Sequence, residues 1–195
     1  MPNCFVVADP VKCIGCRTCE IACVVAHSKK DIFTSEVSEI EFFPRLNVVK
    51  NAKVSAPIQC RQCEDALCAK ACPVDAISTK NGYVQVEEGK CIGCKTCTVA
   101  CPIGAIDMIP EFKDGKRVFQ AKIKVNDENS SQEGKERIVA RKCDVCSGRE
   151  GGPACAEVCP TKALKIVDHE EMERMIKEKR KNNANEILDN MNQIG

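Results

Sequence analysis

A run of thirteen residues constrains this chain more than any other stretch. Lys90 to Pro102 reads K-C-I-G-C-K-T-C-T-V-A-C-P, which spaces Cys91, Cys94, Cys97 and Cys101 as C-x2-C-x2-C-x3-C-P. Three thiolates within seven residues can wrap three corners of one cubane, because Gly93 lets the loop fold tightly back. The fourth cysteine lies about one helical turn beyond the third, displaced along the helix axis. Pro102 has no N–H to donate and a fixed φ, so the turn ends there. The spacing is that of 4Fe–4S ligation.

The run is duplicated. Lys12 to Cys19, K-C-I-G-C-R-T-C, repeats Lys90 to Cys97 with Arg17 in place of Lys95. Internal repeats set architecture and are read before other signals. Cys13, Cys16, Cys19 and Cys23 form the first set, with Val24 rather than proline after the last. Cys60, Cys63, Cys68 and Cys72 form a second set, closed by Pro73, with a loop two residues longer. The duplicated run at Cys91 is the third. Cys143, Cys146, Cys155 and Cys159 form the fourth, closed by Pro160, with a glycine-rich insertion from Ser147 to Pro153. The pattern C-P-x-x-A-[IL] occurs at Cys72, Cys101 and Cys159. Each copy predicts a helix end and then a strand beside a cluster. Sixteen of the 17 cysteines fill the four sets. Cys4 is left as a free thiol in an apolar strand over residues 3–8.

Composition agrees with metal at the centre. The 195 residues contain no Trp, one Tyr and six Phe, too few large side chains for an ordinary core. Clusters would occupy that space and supply folding free energy through ligation. A net charge of +1 lacks the basic excess of a nucleic-acid binder. No apolar run approaches the roughly 18 residues of a membrane span. The start, Met1-Pro2-Asn3-Cys4, has no basic n-region and no twin arginine, which predicts a cytoplasmic chain rather than a secreted disulfide scaffold. A zinc-binding interaction module is the alternative for paired C-x2-C motifs. Crowded three-cysteine runs and a recurring C-P are unexpected for zinc. There is no P-loop, no G-x-G-x-x-G and no nucleophile elbow, so no catalytic residues are expected and the chain is not read as an enzyme in its own right.

The remaining stretches are read locally. Ile21 to Ala26 is a short helix packed on a cluster, and His27 a surface histidine or one that orients a neighbouring ligand. Leu46 to Val49 is a strand, and Asn81-Gly82 a hairpin turn leading into Tyr83 to Val86. Residues 118–125 alternate, with Phe119, Ala121, Ile123 and Val125 on one face. Ile138-Val139-Ala140 is the expected partner strand, and residues 126–137 a surface loop. Lys122 and Lys124 are read as a solvated edge. From Asp168 a charged helix begins, capped by Asp168 with Glu171 three residues on. Met172, Met175, Ile176, Ile187, Leu188, Met191 and Ile194 recur at helical spacing around a basic Lys177 to Lys181. The stripe folds back on this chain, docks on another subunit or copy, or lies on a membrane surface.

The order and spacing of the four sets resemble the four-cluster electron-transfer subunits that accompany molybdopterin oxidoreductases and hydrogenases. That group includes the iron–sulfur subunits of dimethyl sulfoxide reductase, formate hydrogenlyase and hydrogen-dependent carbon dioxide reductase. The resemblance is carried by Ala8 to His27, by C-R-Q-C-E-D-A-x-C-A-x-x-C-P at Cys60 to Pro73, by Lys142 to Cys146 and by Gly152 to Leu164. It covers about residues 3–168 and departs at Cys4, the 126–137 loop and the tail after Asp168.

It implies an α+β fold of two ferredoxin-like modules related by pseudo-symmetry. Residues 1–55 and 111–167 would form an outer module around the first and fourth sets, 56–110 an inserted module around the second and third, and 168–195 a helical tail. The rule of two-cluster ferredoxins is that the fourth cysteine of a run serves the neighbouring cluster. Cys13, Cys16, Cys19 and Cys159 would then hold cluster 1, and Cys23, Cys143, Cys146 and Cys155 cluster 2. Cys60, Cys63, Cys68 and Cys101 would hold cluster 3, and Cys72, Cys91, Cys94 and Cys97 cluster 4. The implied function is electron transfer through four 4Fe–4S clusters between redox subunits, of hydrogenase and formate dehydrogenase type, with other ferredoxin-like subunits as neighbours. The iron–sulfur subunit of another molybdopterin oxidoreductase is the alternative within the resemblance. The formate and hydrogen branch implies the low end of the roughly −700 to +450 mV range of such clusters.

Overall fold

The computed structural model describes residues 4–28, 34, 41–113, 115–120 and 134–194. Short runs of β-favouring residues between turns give short strands. They are β1 (Phe5–Ala8), β2 (Leu46–Lys50), β3 (Ser55–Gln59), β4 (Ile77–Lys80), β5 (Tyr83–Val86) and β6 (Ile106–Pro110). There follow β7 (Phe112–Lys113), β8 (Lys116–Arg117), β9 (Phe119–Gln120), β10 (Lys135–Glu136), β11 (Ile138–Lys142) and β12 (Leu164–Val167). The helices are α1 (Thr18–His27), α2 (Leu67–Lys70), α3 (Thr96–Ala100), α4 (Ala154–Glu157) and α5 (His169–Ile194).

Among the described residues every sheet is a two-stranded antiparallel ribbon: β1 with β12, β2 with β3, β4 with β5, β6 with β11, β7 with β8 and β9 with β10. A lone ribbon is marginal in water and needs a shared apolar face. Two clusters of buried side chains provide it. One gathers Val6, Leu46, Val48, Val145 and Leu164 around Cys19, Cys23, Cys143 and Cys155. The other gathers Ala76, Ile77, Val84, Ile106, Ile109 and Val139 around Cys91 and Cys97. Cys101 packs against both.

The Asn81-Gly82 hairpin forms as expected, with φ of 53° and 82° at the two turn residues and Tyr83 opposite Lys80. The three C-P-x-x-A-[IL] copies lead into β4, β6 and β12. The strand over 46–49 forms as β2, and the helix around Ile21 to Ala26 as α1.

One pairing differs from expectation. Ile138-Val139-Ala140 pairs with β6, not with the strand that starts at 118. Val139 and Ala140 are almost fully buried and join Ile106 and Ile109 in the second core, whereas β9 and β10 form a peripheral hairpin. Burying two apolar residues outweighs an edge pairing. Phe119 is exposed in β9, so the expected buried face is not seen at its first position. Residues 121–125 and 126–133, where the rest of that strand and most of the loop fall, lie outside the described residues. Cys4 is half-buried against the first core, and burial followed by the nearby charge of Asp168 raises its thiol pKa.

Candidate iron–sulfur centres

The duplicated runs fold alike. Gly15 and Gly93 adopt φ of 68° and 69°, and Arg17 and Lys95 also sit in the left-handed region, at 61° and 66°. This double reversal turns each loop back on itself before α1 and α3 begin. The threonine after each reversal then reaches back to a sulfur. Thr18 Oγ1 donates to Cys16 Sγ at 3.3 Å, and Thr96 Oγ1 to Cys94 Sγ at 3.4 Å. These hydroxyls, and then the threonine N–H groups, lower both thiol pKa values.

The three proline-closed turns also fold alike. The residue before each alanine has positive φ: Asp75 at 51°, Gly104 at 63° and Lys162 at 51°. The alanine N–H then points at the sulfur four residues back. Ala76 donates to Cys72 at 3.2 Å, Ala105 to Cys101 at 3.3 Å and Ala163 to Cys159 at 3.3 Å. All three alanines are buried, so the small side chain lets the backbone approach. Cys23 has no such turn, because α1 runs on past it. Its sulfur instead accepts the N–H of Arg45 at 3.3 Å. Sequence reasoning found the C-P-x-x-A repeat but read it as a helix end; its other role, donating to sulfur, was encoded in the same five residues.

Further backbone donors reach Cys60 from Gln62, Cys91 from Ala140 and Cys143 from Val145, each at 3.4 Å. N–H donors aimed at a sulfur favour its charged form over its neutral one, and burial opposes them. A set of four thiolates surrounded by N–H donors and apolar walls suits a 4Fe–4S cluster, whose potential is set by such bonds and by burial.

The fold brings cysteines distant in sequence together. Cys13, Cys16, Cys19 and Cys159 line one hollow, under Val48 and Pro57. Cys72, Cys91, Cys94 and Cys97 line a second, under Ile77 and Met108. Cys155 is pushed up by burial and then by the charges of Cys143, Cys23, Cys146 and Cys19 around it. Cys143 is pushed up to about 12 by burial, with Cys23 and Cys60 in electrostatic reach. Burial and then Cys60 raise Cys68, with Cys101 also near. Cys97, pushed up to about 11 by burial and then Cys91 and Cys94, also senses Cys68. Cys63 lies exposed three residues after Cys60.

A charged network that sequence reasoning missed braces the Cys23 and Cys146 region. Asp144 Oδ2 accepts from Arg45 Nη1 at 2.6 Å, and Asp144 Oδ1 pairs with His27 Nε2 at 3.0 Å. His27 Nδ1 lies 2.8 Å from the Cys23 carbonyl oxygen, which places this histidine behind a sulfur rather than on the open surface. Burial pulls the imidazole down, but its bonds to Asp144 and Cys23 prevail and raise it to about 9.

The 4Fe-4S dicluster domain family matches residues 83–160. The chain is 45% identical over 184 residues to the electron transport protein HydN of Escherichia coli strain K12, covering 93% of this chain and 98% of HydN. It is 42% identical over 172 residues to the putative electron transport protein YsaA of the same strain, covering 88% of this chain and 94% of YsaA. It is 40% identical over 192 residues to formate hydrogenlyase subunit 2 of that strain, covering 91% of this chain and 88% of the relative.

Proposed function

The chain belongs to the family of 4Fe–4S electron-transport proteins that includes HydN and formate hydrogenlyase subunit 2, and from that membership we propose that it carries electrons through four clusters between formate- and hydrogen-linked redox subunits. Each bound cluster would supply a centre that takes up and releases one electron. The chain's own residues do the rest: they hold the centres in series, shield them from water and aim N–H dipoles at the sulfurs.

One observation carries the reading. Each hollow joins the first three cysteines of a duplicated run to the last cysteine of a different set. This supports ligation of cluster 1 by Cys13, Cys16, Cys19 and Cys159, and of cluster 4 by Cys72, Cys91, Cys94 and Cys97. Electrostatic proximity supports Cys23, Cys143, Cys146 and Cys155 around cluster 2, and Cys60, Cys68 and Cys101 with Cys63 around cluster 3. Electrostatic proximity also links the proposed centres in turn, through Cys19 and Cys155, Cys143 and Cys60, and Cys68 and Cys97. This supports the order 1–2–3–4. Cys16 and Cys94 are exposed at its two ends, where partner centres would exchange electrons.

An outer unit of residues 1–55 and 111–167 with residues 56–110 inserted is part of the same proposal; the two cores cross those bounds, since Cys60 and Ala105 pack in the first and Val139 and Ala140 in the second. A thiol-rich chain of this kind works in the reducing cytoplasm. Among the described residues no helix is long and apolar enough to cross a membrane. The test is iron and acid-labile sulfide per chain after anaerobic purification. About sixteen of each are expected at four per cluster, and about eight, or zinc in their place, would overturn the reading. Cys159→Ser should disturb the centre of the Cys13 run and leave that of Cys143 intact; the converse would refute crossed ligation.

A further inference from the structure

Lys142 is a buried cation that the four-cluster reading leaves unused. It ends β11, immediately before Cys143, and is 3% exposed. Its Nζ donates to the carbonyl oxygens of Val84 and Cys143. Both acceptors are neutral, and among the described residues no carboxylate pairs with this ammonium. Gln62, equally buried, spans the same two residues. Its Nε2 donates to the Cys143 carbonyl at 2.8 Å, and its Oε1 accepts the Val84 N–H at 2.9 Å.

The location is the junction of the second and fourth sets, which hold most of the proposed ligands of the two middle clusters. Val84 belongs to the core that holds Cys91 and Cys97, and Cys143 to the core that holds Cys19, Cys23, Cys60 and Cys155. Gln62 lies between Cys60 and Cys63. A buried ammonium with only neutral partners is costly unless a negative charge lies close by. The thiolates of two clusters would supply that charge. A fixed positive charge in a medium of low dielectric in turn favours the arrival of an electron nearby.

We propose that Lys142 is the shared counter-ion of the two middle clusters, and that it raises their reduction potentials more than those of the two end clusters. The inference rests on the four-cluster reading with crossed ligation. Cys16 and Cys94, of the two end centres, lie in exposed loops, each bonded to its own threonine, although β11 also donates the Ala140 N–H to Cys91. The consequence is a conductor whose middle holds an electron more readily than its ends.

The test is a redox titration followed by electron paramagnetic resonance on the full-length, cluster-loaded protein, wild type against Lys142→Gln, Lys142→Met and Lys142→Arg. Iron content and the number of titrating centres in the wild type check the four-cluster reading by themselves. In K142Q, which replaces the ammonium with a neutral donor, two of the four midpoint potentials should move to more negative values, with iron content unchanged. K142M should shift the same two centres, and K142R should restore the wild-type values. Four unchanged potentials in an iron-replete K142Q would overturn the proposal, as would an equal shift of all four. Loss of iron in K142Q and K142M alike would also overturn it, because Lys142 would then be a brace between the two cores and not a source of potential.

Discussion

Gly15 and Gly93 occupy the same place in the duplicated loop and the same left-handed conformation, but their surroundings differ. A Cβ on Gly93 would lie 2.7 Å from the Ile138 carbonyl oxygen, in the backbone of β11. A Cβ on Gly15 would meet the Ser55 hydroxyl at 2.5 Å and Lys50 Cδ at 3.3 Å, both side-chain atoms that can turn away. Each alanine substitution carries about 1 kcal/mol for left-handed backbone. Gly93→Ala must in addition push β11 off β6, so its total cost should reach about 3 kcal/mol. Thermal loss of the cluster absorption should therefore come at a lower temperature in G93A than in G15A. Equal midpoints would mean that the loop, not the strand, gives way. The glycines were legible in the K-C-I-G-C repeat, whereas the object each one faces was not, because Ile138 and Ser55 come from distant strands.

Among the elements, α5 stands apart. The expected cap forms, with the Glu171 N–H donating to Asp168 Oδ1 at 2.8 Å. At about 1.5 Å per residue, its 26 residues extend roughly 39 Å. Every described side chain from Ile176 to Gln193 is exposed, including Ile187, Leu188 and Met191. A helix with an uncovered apolar stripe is poorly stable by itself and gains most from packing. The expectation that the stripe docks on another subunit or another copy is tested by removing it. Truncation after Val167 should leave iron content and reducibility unchanged while reducing particle size in sedimentation. A truncated chain of unchanged size that has lost its iron would assign the helix to this chain's own core. The sequence marked the helix and its cap through local spacing. It left the packing partner open, since an amphipathic stripe specifies a face and not its occupant.

For the whole molecule, the cores are built in large part from the candidate ligands. Cys19, Cys23, Cys60, Cys91, Cys97, Cys143 and Cys155 are buried, beside aliphatic residues no larger than leucine. Ribbons of two strands have little other reason to stay together. Removing iron with a chelator under anaerobic conditions should abolish cooperative melting and reduce the ordered circular dichroism signal. A metal-free chain that still melts cooperatively near the loaded midpoint would refute this dependence. Spacing within about ten residues was enough to mark the sixteen candidate ligands, the reversed loops and the proline-closed turns, because those geometries depend on φ, ring closure and the reach of one helical turn. What brings Cys159 beside the Cys13 run and Cys72 beside the Cys91 run is packing across more than a hundred residues in the first case and about twenty in the second. The same packing joins Ile138 to β6, turns the Arg45 N–H to Cys23 and buries Lys142 between the two cores. No local pattern distinguishes these positions from solvated ones; a lysine after an arginine at a strand end reads as surface until the second core closes over it.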